Sequence, residues 1–344
     1  MRSARPALMC ALAALLFGAA TPATKLLVKS LDPLLLAGLL YLGAALSVAP
    51  WAIRDRHLMR RVSKRSAIRL GGVVILGGCV APVMLMYGLG RAPAASVSLW
   101  LNLETVWTAL IAWWLFEEHL GRAAVVAMIL VVAAGIGLAT PVHVEGGLAA
   151  LLVAGACLGW SIDNNLTATI DELTPAQITF AKGLFAGIIN LGVGLAHSNG
   201  AQGSSVLAAL GIGALGYGAS LVLYIGSSQQ LGAARSQMLF ASAPFAGTIL
   251  AWGVLREPLL PSQTFAASIM IVAISMLLFA RHGHAHRHES TEHLHSHRHD
   301  DGHHDHVHAG LPPSAEHTHM HGHTTVTHTH PHLPDLHHRH SHEH

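Results

Sequence analysis

Beyond residue 281, histidine recurs at close to every second position. The run takes in His282, His284, His286 and His288, then His293, His295, His297 and His299, then His303, His304, His306 and His308. Of the 28 histidines in the chain, 24 lie between His282 and His344. An extended chain puts residues i and i+2 on one side, so the imidazoles of an H-x-H unit can converge on one ion. Imidazole suits zinc, nickel, cobalt and copper, and affinity order alone does not choose among them. An ordinary histidine pKa near 6.5 leaves most of these rings neutral, and able to ligate, around neutral pH. Asp300, Asp301, Asp305 and Glu316 add oxygen donors. With few apolar residues and several prolines, this tail builds no core, and its composition predicts disorder without metal.

A different chemistry is offered by the few ionisable groups inside apolar sequence. Such a group costs roughly 2.5–3.5 kcal/mol or more to place in a membrane, so it faces a cavity or a partner. Glu104, flanked by Asn102 and Thr105 in an otherwise apolar stretch, is the first of them. A carboxyl at mid-membrane depth suits proton coupling; its bland alternative is an acid hydrogen-bonded to a neighbouring helix. Asp163, Asn164 and Asn165 form a second polar cluster, and Lys182 is expected at a similar depth. An Asp163–Lys182 pair would either hold two helices together or gate access. Lys25, near the opposite face, can simply snorkel to the interface. Trp100 and Trp107 are placed to line a cavity around Glu104, while Trp113 and Trp114 read as interfacial anchors.

The elements that position these residues follow from composition. The chain has 344 residues, 52% hydrophobic and only 11% charged, where soluble proteins carry about a quarter charged residues. The net charge of +2 gives no reason to expect a nucleic-acid partner. Cys10, Cys79 and Cys157 sit singly in apolar stretches without CxxC spacing, which argues against a disulfide framework or zinc knuckle. A spanning helix needs roughly 20 apolar residues. Such segments fall near 7–28, 34–53, 68–89, 93–116, 121–140, 146–169, 175–196, 205–228, 233–255 and 262–280. The expected fold is therefore an all-α polytopic membrane protein with ten transmembrane helices and a disordered tail. The first segment resembles a signal peptide, but apolar segments continue for 250 residues after it, so it reads as an uncleaved helix.

Arg54, Arg56, Arg60, Arg61, Lys64, Arg65 and Arg69 crowd the loop between the second and third segments. The positive-inside rule places that loop in the cytoplasm, and with ten helices both termini lie there too. The sequence also repeats. Ala94-Ala95, Ala112-Trp113, Glu118 and Leu120 recur 139 residues on as Ala233-Ala234, Ala251-Trp252, Glu257 and Leu259. Two halves of five helices must be oppositely oriented, and inverted repeats with a site at their junction mark secondary transporters. Three regions follow: 1–140 and 141–281 as five-helix repeats, and 282–344 as the metal-binding tail.

At these residues the chain resembles the EamA-like permeases of the drug/metabolite transporter superfamily. The likeness rests on Leu16-Phe17-Gly18 through Pro22 to Lys25 with Asp32-Pro33, on Ala94-Ala95 through Trp113-Trp114-Leu115-Phe116-Glu117-Glu118, and on Ala233-Ala234 through Pro244 and Ala251-Trp252 to Glu257. It covers residues 7–280 and leaves out the tail. The resemblance implies ten helices in two inverted repeats, a central cavity and export of small molecules, without naming a substrate. It also favours a cavity position for Lys25. Where the family usually has proline in the fourth helix, this chain has Thr105, whereas the second copy keeps Pro244.

No nucleotide-binding motif and no Ser/His/Asp arrangement is present, so neither an enzyme nor a self-contained ATP-driven pump is expected, and no cofactor is required. The leading reading is an inner (plasma) membrane exporter of a small organic metabolite or drug, whose cytoplasmic tail binds divalent metal. A divalent metal exporter with a metal-gathering tail is the alternative. Against it, His57, His119, His143 and His197 sit in loops or at helix ends, where a soft-metal path calls for ligand pairs one turn apart. A membrane-anchored metal buffer needs far fewer helices. The partners implied are the lipid bilayer, a small-molecule substrate and divalent metal; the oligomeric state is left open, a dimer being one option.

Overall fold

A computed structural model describes residues 4–54, 62–116, 122–139, 144–167, 169–170, 172–197, 203–231 and 239–279, together with four short strands of the tail. The chain divides into two compact units, Met1–Ala280 and Arg281–His344.

The described residues of the first unit are helical and contain no strand. In hydrocarbon each backbone polar group needs an internal partner, and a helix supplies it within one segment. The helices are α1 (Ala4–Lys25), α2 (Pro33–Arg54), α3 (Lys64–Arg91), α4 (Ala94–Trp100), α5 (Leu103–Phe116), α6 (Arg122–Ala139), α7 (Val144–Thr167), α8 (Pro175–His197), α9 (Gly203–Leu231), α10 (Ala243–Gly253) and α11 (Pro261–Phe279). Eight spans among the described residues are long and apolar enough to cross a membrane, with α4 and α5 counted together; Pro261–Met276 is a shorter apolar stretch. Local chemistry sets several helix starts. Asp32 accepts from the Leu34 and Leu35 N–H groups at 2.9 and 3.3 Å ahead of Pro33. Thr174 and Gln177 form a reciprocal capping box before α8.

Two irregularities occur twice, within one residue of the spacing of the sequence repeat. The third span becomes π-helical over Val73–Val80 and its counterpart α9 over Gly213–Ala219. The fourth span breaks into a turn at Leu101–Asn102, and a turn at Ala241–Ser242 precedes α10 in the second copy. The sequence predicts unbroken helices in both places. The fourth span is interrupted where Asn102 turns its amide back onto the Leu99 carbonyl at 3.0 Å, an alternative to continuing the helical ladder.

Packing is governed by small residues, as is usual where lipid supplies no hydrophobic drive between helices. α2 lies between α8 and α9 at near-backbone contact. A Cβ added to Gly38 would sit 2.5 Å from the Leu191 nitrogen, and one on Gly183 would sit 2.7 Å from the Tyr41 carbonyl oxygen. Gly183→Val is accordingly expected to destabilise the protein by about 1–3 kcal/mol. Thermal unfolding in detergent measures this, and an unchanged midpoint would contradict so close a crossing.

The second unit is described over four short strands. It contains β1 (Gly283–His288), β2 (Glu292–His297), β3 (His317–Gly322) and β4 (Val326–Pro331), joined as two antiparallel pairs, β1 with β4 and β2 with β3. His282, His299, His303, His304, His306 and His308 lie outside the described residues.

Candidate functional site

The polar centre is organised by α7, which presents two side-chain stripes at helical spacing. Cys157, Ser161 and Asn164 face the broken fourth span. The Ser161 hydroxyl donates to the Glu104 backbone carbonyl at 2.9 Å, and Asn164 Nδ2 donates to Glu104 Oε1 at 2.7 Å. The Cys157 thiol lies 3.7 and 3.8 Å from the Trp100 and Leu101 carbonyl oxygens, the second of which also accepts from the Glu104 N–H at 3.1 Å. Thr108 Oγ1 completes this side at 3.0 Å from Ser161 Oγ. Ser161 and Cys157 therefore do what neither residue type announced in the sequence. The signal was the polar series Ser161, Asp163, Asn164, Asn165 and Thr167, whose i, i+3 and i+4 spacing assigns one helix to two polar neighbours.

The other stripe is Trp160, Asp163 and Thr167. Asp163 pairs with Lys182 of α8, the one ion pair among the described residues, and also accepts from Thr167 Oγ1 at 3.2 Å. Tyr41 and Trp160 both donate to the Gly77 carbonyl, at 2.6 and 3.0 Å, while Asn190 Nδ2 reaches the Gly78 and Cys79 carbonyls at 3.3 Å. These three carbonyls belong to the first π-helical stretch, a form that concentrates at functional sites. Gly77 has no room for a Cβ because the Asp163 carboxylate occupies that space.

Glu104 itself sits in the first turn of α5, immediately after the break, and is half-buried. No cation lies within ion-pair distance of it among the described residues. Asn164, although bonded to Glu104, is exposed at the surface of the helices. Beside this centre runs a row of aromatic rings: Tyr41 to Tyr217 (5.7 Å between centroids), Tyr217 to Phe17 (5.8 Å), Phe17 to Phe240 (5.3 Å) and Phe240 to Tyr224 (4.6 Å). The Lys182 ammonium stands 6.0 Å from the Tyr41 ring centre. Phe240 borders the break of the second copy, so the row connects the surroundings of Lys182 to that break.

Other sequence candidates are placed differently. Trp100 is 1% exposed and its indole donates to the Gly135 carbonyl at 3.0 Å, so it packs the core rather than lining a cavity. Asn102 is buried, with Nδ2 on the Leu99 carbonyl and Oδ1 unpartnered. Asn165 is also buried and is spent on the Ser161 carbonyl at 2.8 Å. Trp107 is half-buried, whereas Trp113 and Trp114 are exposed.

Lys25 does not snorkel. Its ammonium donates to the Leu89 and Ala92 carbonyls, at 2.5 and 2.7 Å, where α3 ends. Two residues on, Glu257 accepts from the Ala94 and Ala95 N–H groups, at 2.8 and 2.9 Å, where α4 begins. Cation at a helix C-terminus and carboxylate at an N-terminus both oppose the local dipole. Arg256 takes a positive φ of 53°, a costly conformation for a residue with a Cβ, and thereby turns Glu257 onto α4. Lys25 and Glu257 thus clamp the short α3–α4 connection from the two halves of the chain. At the other end of α3, Ser63 N–H donates to Glu172 at 2.7 Å, which holds that exposed carboxyl below the usual carboxylate range, and Arg69 donates to the Thr169 carbonyl at 2.6 Å.

Among the described residues of the first unit no group of three or more His, Cys, Asp or Glu side chains is arranged to hold a metal. Long apolar helices, a duplicated broken span and a buried polar centre define a multi-pass membrane transporter. The EamA-like transporter family model matches residues 4–140 and again residues 147–279, and the chain belongs to that family. It is similar to an uncharacterized transporter of Methanothermobacter thermautotrophicus (strain Delta H), 23% identical over 293 residues, covering 77% of this chain and 83% of the relative. In fold it resembles a protein solved by crystallography, with a TM-score of 0.57 and 19% identity over 79% of this chain and 96% of the other. The family and the relative are described as transporters rather than as enzymes.

Proposed function

We propose that this chain is a proton-coupled secondary transporter of the inner (plasma) membrane, exporting a small organic metabolite or drug. Ten membrane helices form two inverted five-helix repeats, with both termini in the cytoplasm. One observation carries the reading. Both copies are interrupted at the same place, and an ionisable residue, Glu104, stands at the first interruption. Paired interruptions in corresponding helices are the best pointer to a transporter's binding site, because irregular backbone is tolerated at membrane depth only where it lines a cavity or is covered by protein. Glu104 supplies the proton site, and the aromatic row from Tyr41 through Phe240 to Tyr224 supplies an apolar wall suited to an organic solute. The tail binds divalent metal as an accessory to transport.

The clamp on the α3–α4 connection closes the face opposite the basic loop, while exposed Asn164 leaves Glu104 within reach from the basic side. Alternating access then requires Lys25 and Glu257 to release the helix ends. Glu257→Ala is expected to raise thiol labelling from outside, at a cysteine placed at Val28, several-fold and to lower transport. Glu257→Gln, which keeps an acceptor, gives a smaller change. Equal labelling in all three proteins removes the clamp from the cycle.

The reading is tested by growth of a strain expressing the chain, compared with one lacking it, on toxic amino acids, organic cations, nickel, cobalt and zinc. Resistance to an organic compound that survives deletion of residues 282–344 is the expected result. Resistance confined to metals and lost with the tail would instead identify a metal exporter. Metal binding without any resistance would leave a membrane-anchored buffer.

A further inference from the structure

The tail's strand register does more than repeat the H-x-H pattern. In the β1–β4 ribbon His284 is opposite His330 and His286 is opposite His328. In the β2–β3 ribbon His293 is opposite His321, His295 opposite His319 and His297 opposite His317. Directly opposed residues share a face, as do residues two apart along a strand. One face of each ribbon therefore gathers every paired histidine position, and no histidine lies on the other face of either. A slip of one residue would set histidines against threonine, alanine, leucine or serine and dissolve both gatherings.

An isolated two-stranded ribbon is marginal at best in water. These ribbons have little apolar pairing to compensate, Leu294 with Met320 being the one pair of large apolar residues. Something other than a hydrophobic face must hold them. Opposed positions have Cβ atoms about 4.5–5.5 Å apart, a spacing from which two imidazoles reach a single ion at roughly 2.0–2.1 Å. A single H-x-H unit offers two nitrogens, whereas a tetrahedral ion takes four.

We infer that each ribbon is a divalent-metal site built across strands more than 15 residues apart in sequence. The first uses the positions of His284, His286, His328 and His330; the second draws on the β2–β3 ladder. The preferred ion is of the zinc or nickel class, matched to neutral imidazole. Metal binding and strand pairing are then one equilibrium, since the energy of ligation is also the energy of ordering. This rests on the proposal that the tail binds metal and adds where and how.

The test is titration of the full-length protein in detergent with Zn²⁺ and, separately, Ni²⁺, followed by calorimetry. His328→Ala with His330→Ala is expected to weaken the first site by at least about tenfold, the lower range for disturbing even a ligand's supporting shell. His284→Ala with His286→Ala should do the same, and the quadruple variant should lose little more than either pair. His303→Ala with His304→Ala serves as the control and should leave both tight sites intact. Nitroxides on Ala285→Cys and Thr329→Cys should show one short distance with Zn²⁺ and a broad distribution without it. If the tail takes up no metal, the proposal of a metal-binding tail falls with this one. If every pair of histidines costs the same and the nitroxide distances ignore Zn²⁺, the tail binds metal but the cross-strand sites are wrong.

Discussion

Glu104→Gln abolishes pH-driven accumulation of the exported compound. The substitution keeps a side chain of the same size that can still meet the Asn164 amide, so the break at Leu101–Asn102 and the α5–α7 contact survive. What it removes is the capacity to take up and release a proton. With one proton exchanged per substrate, one pH unit sustains about a tenfold substrate gradient, since each unit is worth about 1.4 kcal/mol. In proteoliposomes carrying a one-unit gradient, the wild-type chain should accumulate the compound returned by the growth screen about tenfold, and the variant should only equilibrate it. Exchange without a gradient should continue, because the aromatic row and the amides are intact. Unchanged dependence on external pH would remove Glu104 from coupling and leave it as a structural acid.

Lys182→Met and Asp163→Asn, made singly, are each expected to cost about 3–5 kcal/mol. That is the range for stranding one member of a buried ion pair. Both side chains are well shielded, at 12% and 3% exposure for Lys182 and Asp163. The neighbouring donors and acceptors, Thr167, Tyr41 and Trp160, do not supply a replacement charge. The double variant leaves no unpaired charge and should recover most of the loss, because replacing both partners of such a pair is often nearly neutral. Thermal unfolding in detergent measures the stability part, and transport in the same double variant separates the two roles. Recovery of stability without recovery of transport makes the pair a gate; recovery of both makes it a fastener between α7 and α8. Wild-type stability in both single variants would show that the pair is solvated and unimportant.

Much of the membrane unit could be read in advance because lipid enforces a simple code. Eight spans of sufficient length appear near their expected places, and the repeat foreseen from Ala94-Ala95 and Ala233-Ala234 agrees with a family match that occurs twice in the chain. Asp163 and Lys182 could be guessed as partners from depth alone. Side-chain allegiance was harder. Trp100 and Asn165 looked like cavity residues because they are polar or aromatic near Glu104, yet each spends its donor on a backbone carbonyl and is buried. Cys157 is buried in the hydrophobic core, and its thiol also meets the Trp100 and Leu101 carbonyls beside the break, a contact that its spacing along the chain did not announce.

Composition and periodicity by themselves determined that this chain crosses the membrane repeatedly, that it is duplicated, and that its tail is rich in imidazole. Those properties depend on local residue type, since burial of backbone polarity in lipid leaves helices as the form available to an apolar segment. Tertiary structure decided where the helices fail, which side chains meet the carbonyls of Leu101 and Gly77, and which helix ends Lys25 and Glu257 hold. It also decided which histidines of the tail stand opposite each other. Each of these depends on residues far apart in sequence meeting at one distance, and residue type and spacing along the chain carry no record of that distance.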